Sequence, residues 1–295
     1  MTASAAAGAA VELFAPAKVN LFLHVTGRRA DGYHLLDSLV VFAGVGDSLR
    51  LAAADDLSLT LDGPTAGALT VEADNIVLKA ARLLARHAGI APRAAIHLTK
   101  RLPVAAGIGG GSTDGAAALR GLRVLWGLSV PDADLAALGL QLGADLPVCL
   151  RGRPTRMEGI GEILSPASTL PPAWLVLVNP GVALSTPSVF KARAAGFSPP
   201  APLTAAPATA SALAAALLQR GNDLTAPAIA LAPVIGDVLQ AIDATPACLL
   251  SRMSGSGATC FGLFEDETAA RAAAAQLAAA HPSWWTAPAP LVSRP

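Results

Sequence analysis

The sequence predicts an α+β protein of two domains, and three observations lead there. The first hundred residues alternate apolar and polar positions over short runs, as the strands of hairpins do. A glycine cluster then opens a long Ala-rich helix, and beyond Arg156 strands and helices resume in a different order. A chain of 295 residues, 53% hydrophobic and 14% charged, can fill two cores without disulfide or metal staples. The boundary is expected near 157, dividing the chain into 1–157 and 158–295.

Taken in order, Ala17, Val19, Leu21, Leu23 and Val25 share one face of a strand, and Lys18, Asn20, Phe22 and His24 share the other. Lys18 and Asn20 therefore stand side by side, about 7 Å apart. Residues 27–33 carry turn chemistry, and apolar alternation follows at Leu39 and Val41, with a strand from Asp47 to Leu51. Asp74 or Asn75 can cap a helix whose apolar positions Ile76, Val77, Ala80, Leu83 and Leu84 recur at helical spacing and end near Gly89. Residues 94–98 form another strand, and a helix from Ala116 to Trp126 follows the glycines. Asp132 to Leu142 is a helix stopped by Gly143, with Asp145 in the helix-to-strand loop after it. The second half offers strands at 174–178, 248–253 and 259–264, a helix at 267–280, a last strand, and helices between the first two strands.

Several function classes are disfavoured at once. Basic and acidic residues balance at 21 each, so no broad field draws nucleic acid. Cys149, Cys248 and Cys260 are isolated in apolar runs and have no zinc spacing, as core thiols of a reducing compartment would be. The Ala-rich Met1 to Ala10 lacks the basic and apolar regions of a signal peptide and is expected to be a disordered stub. The uncharged stretch from Ala194 to Gln219 is broken by Pro199, Pro200, Pro202 and Pro207, so it is expected as a surface loop leading into a short helix rather than a membrane span. The expected location is the cytoplasm.

The most informative stretch is Pro103-Val-Ala-Ala-Gly-Ile-Gly-Gly-Gly-Ser-Thr-Asp-Gly115. Glycines let the backbone reach positive φ and bring several N–H groups to one anion, while the following helix adds its dipole. A simple turn would not need Ser112 and Thr113 at the junction. The Walker pattern is absent, because no Lys follows Gly111. The dinucleotide fingerprint counted from Gly107 fails at Ser112, and the protein-kinase motifs are missing. Elsewhere, Lys18 is one of only four lysines, Asp145 lies between Gly143 and Pro147, and the single tyrosine, Tyr33, precedes His34. Each is equally readable as a surface strand position, a turn or a packing pair.

The glycine stretch resembles the Pro-x-x-x-Gly-Leu-Gly-Ser-Ser phosphate loop of the GHMP kinases. Three further blocks, Ala15-Pro-Ala-Lys-Val-Asn-Leu-Phe-Leu23, Arg29-Ala-Asp-Gly-Tyr-His34 and Gly143-Ala-Asp-Leu-Pro-Val148, resemble the branch that phosphorylates a cytidine diphosphate sugar alcohol for non-mevalonate isoprenoid synthesis. The matching blocks run in order from about residue 14 to 264. The resemblance implies a ribosomal-protein-S5-like N-terminal domain and a ferredoxin-like C-terminal domain, with the active site in the cleft. It implies direct transfer of the γ-phosphoryl of ATP to the acceptor's 2-hydroxyl, with Asp145 as base and Lys18 beside the reacting oxygen. His34 would read the cytosine edge between the aromatic walls of Tyr33 and Phe190, and Asn20, Thr186 and Asp145 would touch the acceptor's polar groups.

For ATP, the resemblance implies a cradle of Pro103, Val104, Ala105, Ala106, Gly107, Ile108, Gly109, Gly110, Gly111, Ser112 and Thr113. Asn75 and Lys100 would line the nucleoside side, and Ser112 or Thr113 would assist Mg2+. The turn Ser254-Gly-Ser-Gly-Ala258 matches the third family motif, usually set against the phosphate loop. Two departures stand out: several relatives carry extra glycine within the stretch Val104-Ala105-Ala106-Gly107, and 194–207 is unusually rich in Pro and Ala. The implied partners are small molecules, with no nucleic acid or membrane, and the protein is expected as a monomer or homodimer. The rivals are a homoserine or mevalonate kinase of the same superfamily, a non-catalytic nucleotide-binding protein, and a Rossmann oxidoreductase.

Overall fold

A computed structural model describes residues 10–68, 74–194 and 196–292. The expected stub, save Ala10, and residue 195 of the Pro/Ala-rich loop lie outside the described residues. The elements, in chain order, are β1 (Val11–Arg28), β2 (His34–Ala52), β3 (Leu57–Asp62), α1 (Ile76–Ala88), β4 (Ala94–Thr99), α2 (Gly110–Leu125), α3 (Asp132–Leu142) and α4 (Leu146–Arg151). They continue with β5 (Thr155–Gly159), β6 (Ile163–Pro166), β7 (Trp174–Asn179), α5 (Thr186–Ala192), α6 (Ala210–Leu218), α7 (Thr225–Leu231) and α8 (Val234–Asp243). The last four are β8 (Leu250–Met253), β9 (Cys260–Phe264), α9 (Glu267–Ala280) and β10 (Trp285–Val292). Two compact units are built from interleaved stretches of chain.

The first unit takes the chain up to Ala15, Gly46–Arg101 and Gly111–Leu150. Here β4 runs antiparallel to the end of β2, from Ser48↔Thr99 to Ala52↔Ala95, and parallel to β3, from Leu57↔Ala94 to Asp62↔Thr99. Ala94, Ile96 and Leu98 alternate into a core with Leu49, Leu51, Val77, Leu84, Leu119 and Leu122, while Ala95, His97 and Thr99 face outward. Helix α1 starts where Asn75 Oδ1 accepts the Val77 N–H at 2.9 Å and stops at Gly89 in the left-handed conformation. Helix α2 begins six residues before the expected Ala116. A Cβ on its Gly121 would sit 2.1 Å from Leu51 Cδ1, so the glycine is what lets α2 lie close against β2.

The second unit comprises Pro16–Val45, Leu102–Gly110 and Arg151–Pro295. Strands β10, β7, β9 and β8 are successive antiparallel neighbours. Leu291 and Val292 of β10 pair with Ala43 and Phe42 of β2, which also pairs with the β5–β6 hairpin through Leu36–Val40. Alternation along β7 sends Leu175 and Leu177 into one core and Val176 and Val178 into another, so both faces of this sheet are covered. The same cover explains β1: not only Val19 and Leu21 but also Lys18, Asn20, Phe22 and His24 are buried. The expected Pro/Ala-rich loop is strapped down by main-chain bonds. Ala201 N–H donates to Asp37 at 2.6 Å, Ser198 N–H donates to the Val25 carbonyl at 3.0 Å, and Arg220 donates to the carbonyls of Ala201 and Pro202.

Candidate active site

The glycine-rich loop is shaped by what its carbonyls do. The Ala106 carbonyl accepts the Thr259 hydroxyl at 2.6 Å and its N–H at 3.1 Å, and the Ile108 carbonyl accepts the Lys18 N–H at 2.9 Å. Between them, the Gly107 carbonyl takes a long bond of 3.4 Å from the Ser254 hydroxyl. In a trans peptide the N–H of one residue points opposite the carbonyl of the residue before it. Turning carbonyls 106, 107 and 108 onto protein donors therefore turns the N–H groups of Gly107, Ile108 and Gly109 away from those donors, the condition from which an anion-binding nest starts. Positive φ at Ala105 (53°), Gly107 (73°) and Gly109 (65°) makes the winding possible.

Gly107 has a second reason to be glycine. A Cβ there would lie 2.3 Å from the carbonyl oxygen of Gly257, so the loop and the turn Ser254–Ala258 touch backbone to backbone, as the third motif implied. Replacing Gly107 with Ala combines this clash with a left-handed backbone. We expect a loss of about 2–4 kcal/mol in stability, read from the urea unfolding midpoint. An unchanged midpoint would mean that the two turns separate freely.

Lys18 lies beneath the loop, 4% exposed, and a Cβ on Gly109 would press on its stem at 3.0 Å. Beside it, the Asn20 amide has its orientation fixed by its neighbours. Ser38 donates its hydroxyl proton to the Phe22 carbonyl at 2.6 Å, so its oxygen accepts from Asn20 Nδ2 at 2.7 Å. Asn20 Oδ1 is thereby turned away, buried, with no hydrogen-bond partner among the described residues. A buried acceptor in that condition is costly unless a ligand donor reaches it.

The aromatic pair forms differently from the expectation. The ring stacked on Phe190 is that of His34, at 4.8 Å and 22°, while Tyr33 stands 61% exposed. Burial and the guanidinium charges of Arg28 and Arg193 hold the His34 imidazole below its ordinary pKa, hence neutral at pH 7. Thr186 opens α5 and shares a 2.8 Å hydroxyl bond with Ser256 of the glycine-rich turn.

The remaining candidates belong to the first unit. Asn75 is half-buried as the cap of α1. Ser112 is half-exposed and Thr113 buried in the first turn of α2. Lys100 is buried with its ammonium bonded to Asp47 and, at 2.7 Å, to Asp114. Asp145 does not precede a strand as expected. It joins α3 to α4, whose second residue is Pro147, where a missing N–H costs nothing. Its carbonyl accepts the Cys149 N–H at 3.1 Å, leaving the half-exposed carboxylate on a short, backbone-held connection. Among the described residues no three His, Cys, Asp or Glu side chains gather as a metal cage. Cys260 is buried, which pushes its thiol far above the usual range and makes it a poor nucleophile.

Sequence reasoning missed Asp47, Asp114, Ser38 and Thr259. Asp114, following Ser112-Thr113, carried the one local signal. The others meet their partners only through the fold.

Comparison with known proteins adds to this geometry. Residues 75–153 match the GHMP kinases N terminal domain, and residues 205–283 match GHMP kinases C terminal. A Paramagnetospirillum magneticum protein named 4-diphosphocytidyl-2-C-methyl-D-erythritol kinase is 65% identical over 279 residues, covering 95% of this chain and 98% of its own. A protein of the same name from Rhodospirillum rubrum is 58% identical over 285 residues, covering 97% and 94%. A crystal structure of 4-(cytidine 5'-diphospho)-2C-methyl-D-erythritol kinase matches with a TM-score of 0.78 at 36% identity, covering 95% of this chain and 98% of that one. Homoserine kinase from Cytophaga hutchinsonii, at 17% identity and a TM-score of 0.73 over 99% and 98% of the two chains, shares the fold.

Proposed function

Because the chain belongs to the GHMP kinases, in the 4-diphosphocytidyl-2-C-methyl-D-erythritol kinase family, we propose that Asp145 and Lys18 carry out its phosphoryl transfer. The protein is an ATP-dependent phosphotransferase. It phosphorylates the 2-hydroxyl of 4-diphosphocytidyl-2-C-methyl-D-erythritol on the non-mevalonate route to isoprenoid precursors. The observation that carries our reading of the site is that protein donors take up the carbonyls of Ala106, Gly107 and Ile108, which turns the N–H groups of the glycine-rich loop away from those donors.

In this reading residues 103–113 hold the triphosphate, and α2 points its N-terminal dipole at it. The acceptor oxygen attacks the γ-phosphorus in line, the bond from that phosphorus to the β–γ bridging oxygen breaks, and Asp145 takes the hydroxyl proton. The Lys18 ammonium offsets the charge gathering on the transferred group. Asn20 Oδ1, buried and unpartnered, suits a donor from the acceptor, and Thr186 is the second polar contact. Asn75 lines the nucleoside side, where Lys100 would act from behind through its ion pairs.

Magnesium is proposed as the ion accompanying ATP. A hard cation that travels with phosphates needs only one or two protein oxygens, and the half-exposed Ser112 hydroxyl fits better than the buried Thr113. When bound, the ion supplies charge neutralisation between phosphate oxygens. The family matches at 75–153 and 205–283 lie on either side of residue 157, which supports a functional boundary there. We place the enzyme in the cytoplasm as a monomer or homodimer. Among the described residues no helix is long and apolar enough to cross a membrane.

The test of the reading is ADP release from magnesium-ATP with the cytidine acceptor, homoserine, mevalonate and galactose in turn. Turnover with the cytidine acceptor alone is expected, and turnover with another alcohol would return Tyr33, His34 and Phe190 to packing roles. A pH series probes His34. Since its pKa lies below the ordinary 6.5, the acceptor KM stays flat from pH 8 down to about 7 and rises at lower pH, as the imidazole gains its proton. A His34→Gln variant abolishes that rise. A rise already present between pH 7.5 and 7 would contradict a neutral His34.

A further inference from the structure

Three charged side chains are buried together at the base of the phosphate loop, and the reaction as derived above uses none of them directly. Lys100 follows the last residue of β4, Arg101 begins the loop, Asp114 lies just past the first turn of α2, and Asp47 belongs to β2. Side-chain exposure is 4% for Lys100, 0% for Asp47 and 4% for Asp114. We propose that Asp47, Lys100 and Asp114 form a clasp across the two ends of the loop, with Asp47 and Asp114 as positioning residues for ATP. The proposal rests on the reading that residues 103–113 hold the triphosphate.

The bonds run in one direction around the clasp. Asp47 accepts the Lys100 ammonium on one oxygen and the Arg101 backbone N–H, at 2.6 Å, on the other, so one carboxylate fixes both a side chain and the start of the loop. The same ammonium reaches Asp114 Oδ2 at 2.7 Å, which fixes the end. The Lys100 backbone cannot shift to relieve the arrangement: its N–H donates to the Asp62 carbonyl at 2.7 Å, and a Cβ on Gly63 would lie 2.3 Å from its carbonyl oxygen. The loop between them contributes backbone groups that must be presented at fixed positions to an anion, and such sites lose activity when they are about 1 Å too loose.

Stability is a poor explanation for burying this cluster. Desolvating each ion costs several kcal/mol, and apolar replacements of similar volume often serve as well or better. Asp114 is not even fully repaid, since its Oδ1 is buried without a hydrogen-bond partner among the described residues. What apolar side chains could not supply is a directional link holding Arg101 and Asp114 in register.

The clasp makes a prediction opposite to that of direct nucleotide contact by Lys100. If Lys100 bound ATP itself, removing Asp114 would release it and leave the KM for ATP unchanged or lower. The clasp predicts that Asp114→Ala, in the full chain, raises the KM for ATP at least about tenfold and lowers kcat, with the acceptor KM within about twofold. Asp114→Asn keeps an acceptor for Lys100 Nζ and recovers most of the loss. Amide hydrogen exchange of Asp47→Asn, whose amide has one oxygen where the carboxylate uses two to accept from Lys100 and from Arg101 N–H, measured without and with ATP, gives a second measurement should the Ala variant not fold. Exchange is expected to quicken within 101–113 and not elsewhere. An unchanged or lower KM for ATP, an equal rise in both KM values, or exchange that quickens across the whole chain would each overturn the clasp. Should the wild-type protein fail to phosphorylate the cytidine acceptor, the function fails instead, and exchange with ATP alone still decides the clasp.

Discussion

Replacing Asp145 with Asn lowers kcat by about two to four orders of magnitude and leaves ATP affinity within about threefold. The substitution is nearly isosteric, and two main-chain bonds fix the connection on which residue 145 sits. Leu146 N–H donates to the Gly143 carbonyl at 3.1 Å, and Cys149 N–H donates to the Asp145 carbonyl at the same distance. Neither bond involves the side chain, so the connection from α3 to α4 survives in the variant. The amide differs in one chemical respect: it cannot take the proton that the attacking hydroxyl must shed. The expected loss corresponds to about 3–5.5 kcal/mol of transition-state stabilisation. The check is steady-state kcat alongside a calorimetric ATP titration. Activity within a fewfold of wild type would remove Asp145 from the role of base, because positioning alone could be kept by the amide.

The parts of this structure legible in the sequence are those fixed within a few residues of chain. Helix α1 was expected from an Asn cap and a Gly stop, and both operate as such. The bounds of α3 and α9 agree with expectation for the same reason, since Gly143 and Asp266 act locally. The start of α2 was misplaced because Gly110, Gly111 and Gly115 are poor helix formers. Tertiary packing outweighs that preference: a Cβ at Gly115 would crowd Ile76 and Leu146 at 3.2 Å. Likewise β2 runs unbroken from His34 to Ala52, through both the alternation at Leu39 and Val41 and the strand expected from Asp47 to Leu51. Gly44 is needed there, since a Cβ would strike the Pro290 ring at 2.7 Å.

The site shows the same division. The glycines, Lys18, Asp145 and His34 could be picked out because residue type and local motif point to chemistry. Their supports could not, because each is a long-range bond. Ser38 orients Asn20 from 18 residues away, Thr259 holds Ala106 across 153, and Asp47 meets Lys100 across 53. For Lys100 the missing partners changed the reading itself. The resemblance implies a nucleotide contact at Lys100, and the two buried carboxylates that hold its ammonium support the anchor proposed above. Burial pushes the Asp114 carboxyl up to about 7 against the attraction of Lys100, while the two carboxylates raise Lys100 despite its burial. The cluster thus carries less net charge than its formal count, which eases its place in an apolar core.

Replacing Lys18 with Met separates chemistry from packing most sharply, because it removes the charge and keeps the stem. Methionine keeps most of the stem against which Gly109 closes and leaves the main-chain bond from Lys18 N–H to the Ile108 carbonyl untouched. The loop should therefore keep its form, and the KM for ATP stays within about threefold. Methionine fills nearly the same volume as the lysine stem, so the packing around residue 18 is kept. The kcat nonetheless falls by about two to three orders of magnitude, the usual consequence of losing one preorganised group at developing charge. Lys18→Arg does not restore it. The guanidinium is a rigid fork in place of a compact ammonium, and Gly109, whose φ of +65° admits no larger residue easily, leaves no room above it. A Met variant with full activity would make Lys18 a packing residue; one that lost stability and activity together would make it a structural cation. Only lost turnover with stability retained fits an ammonium kept buried under the phosphate loop for the reaction.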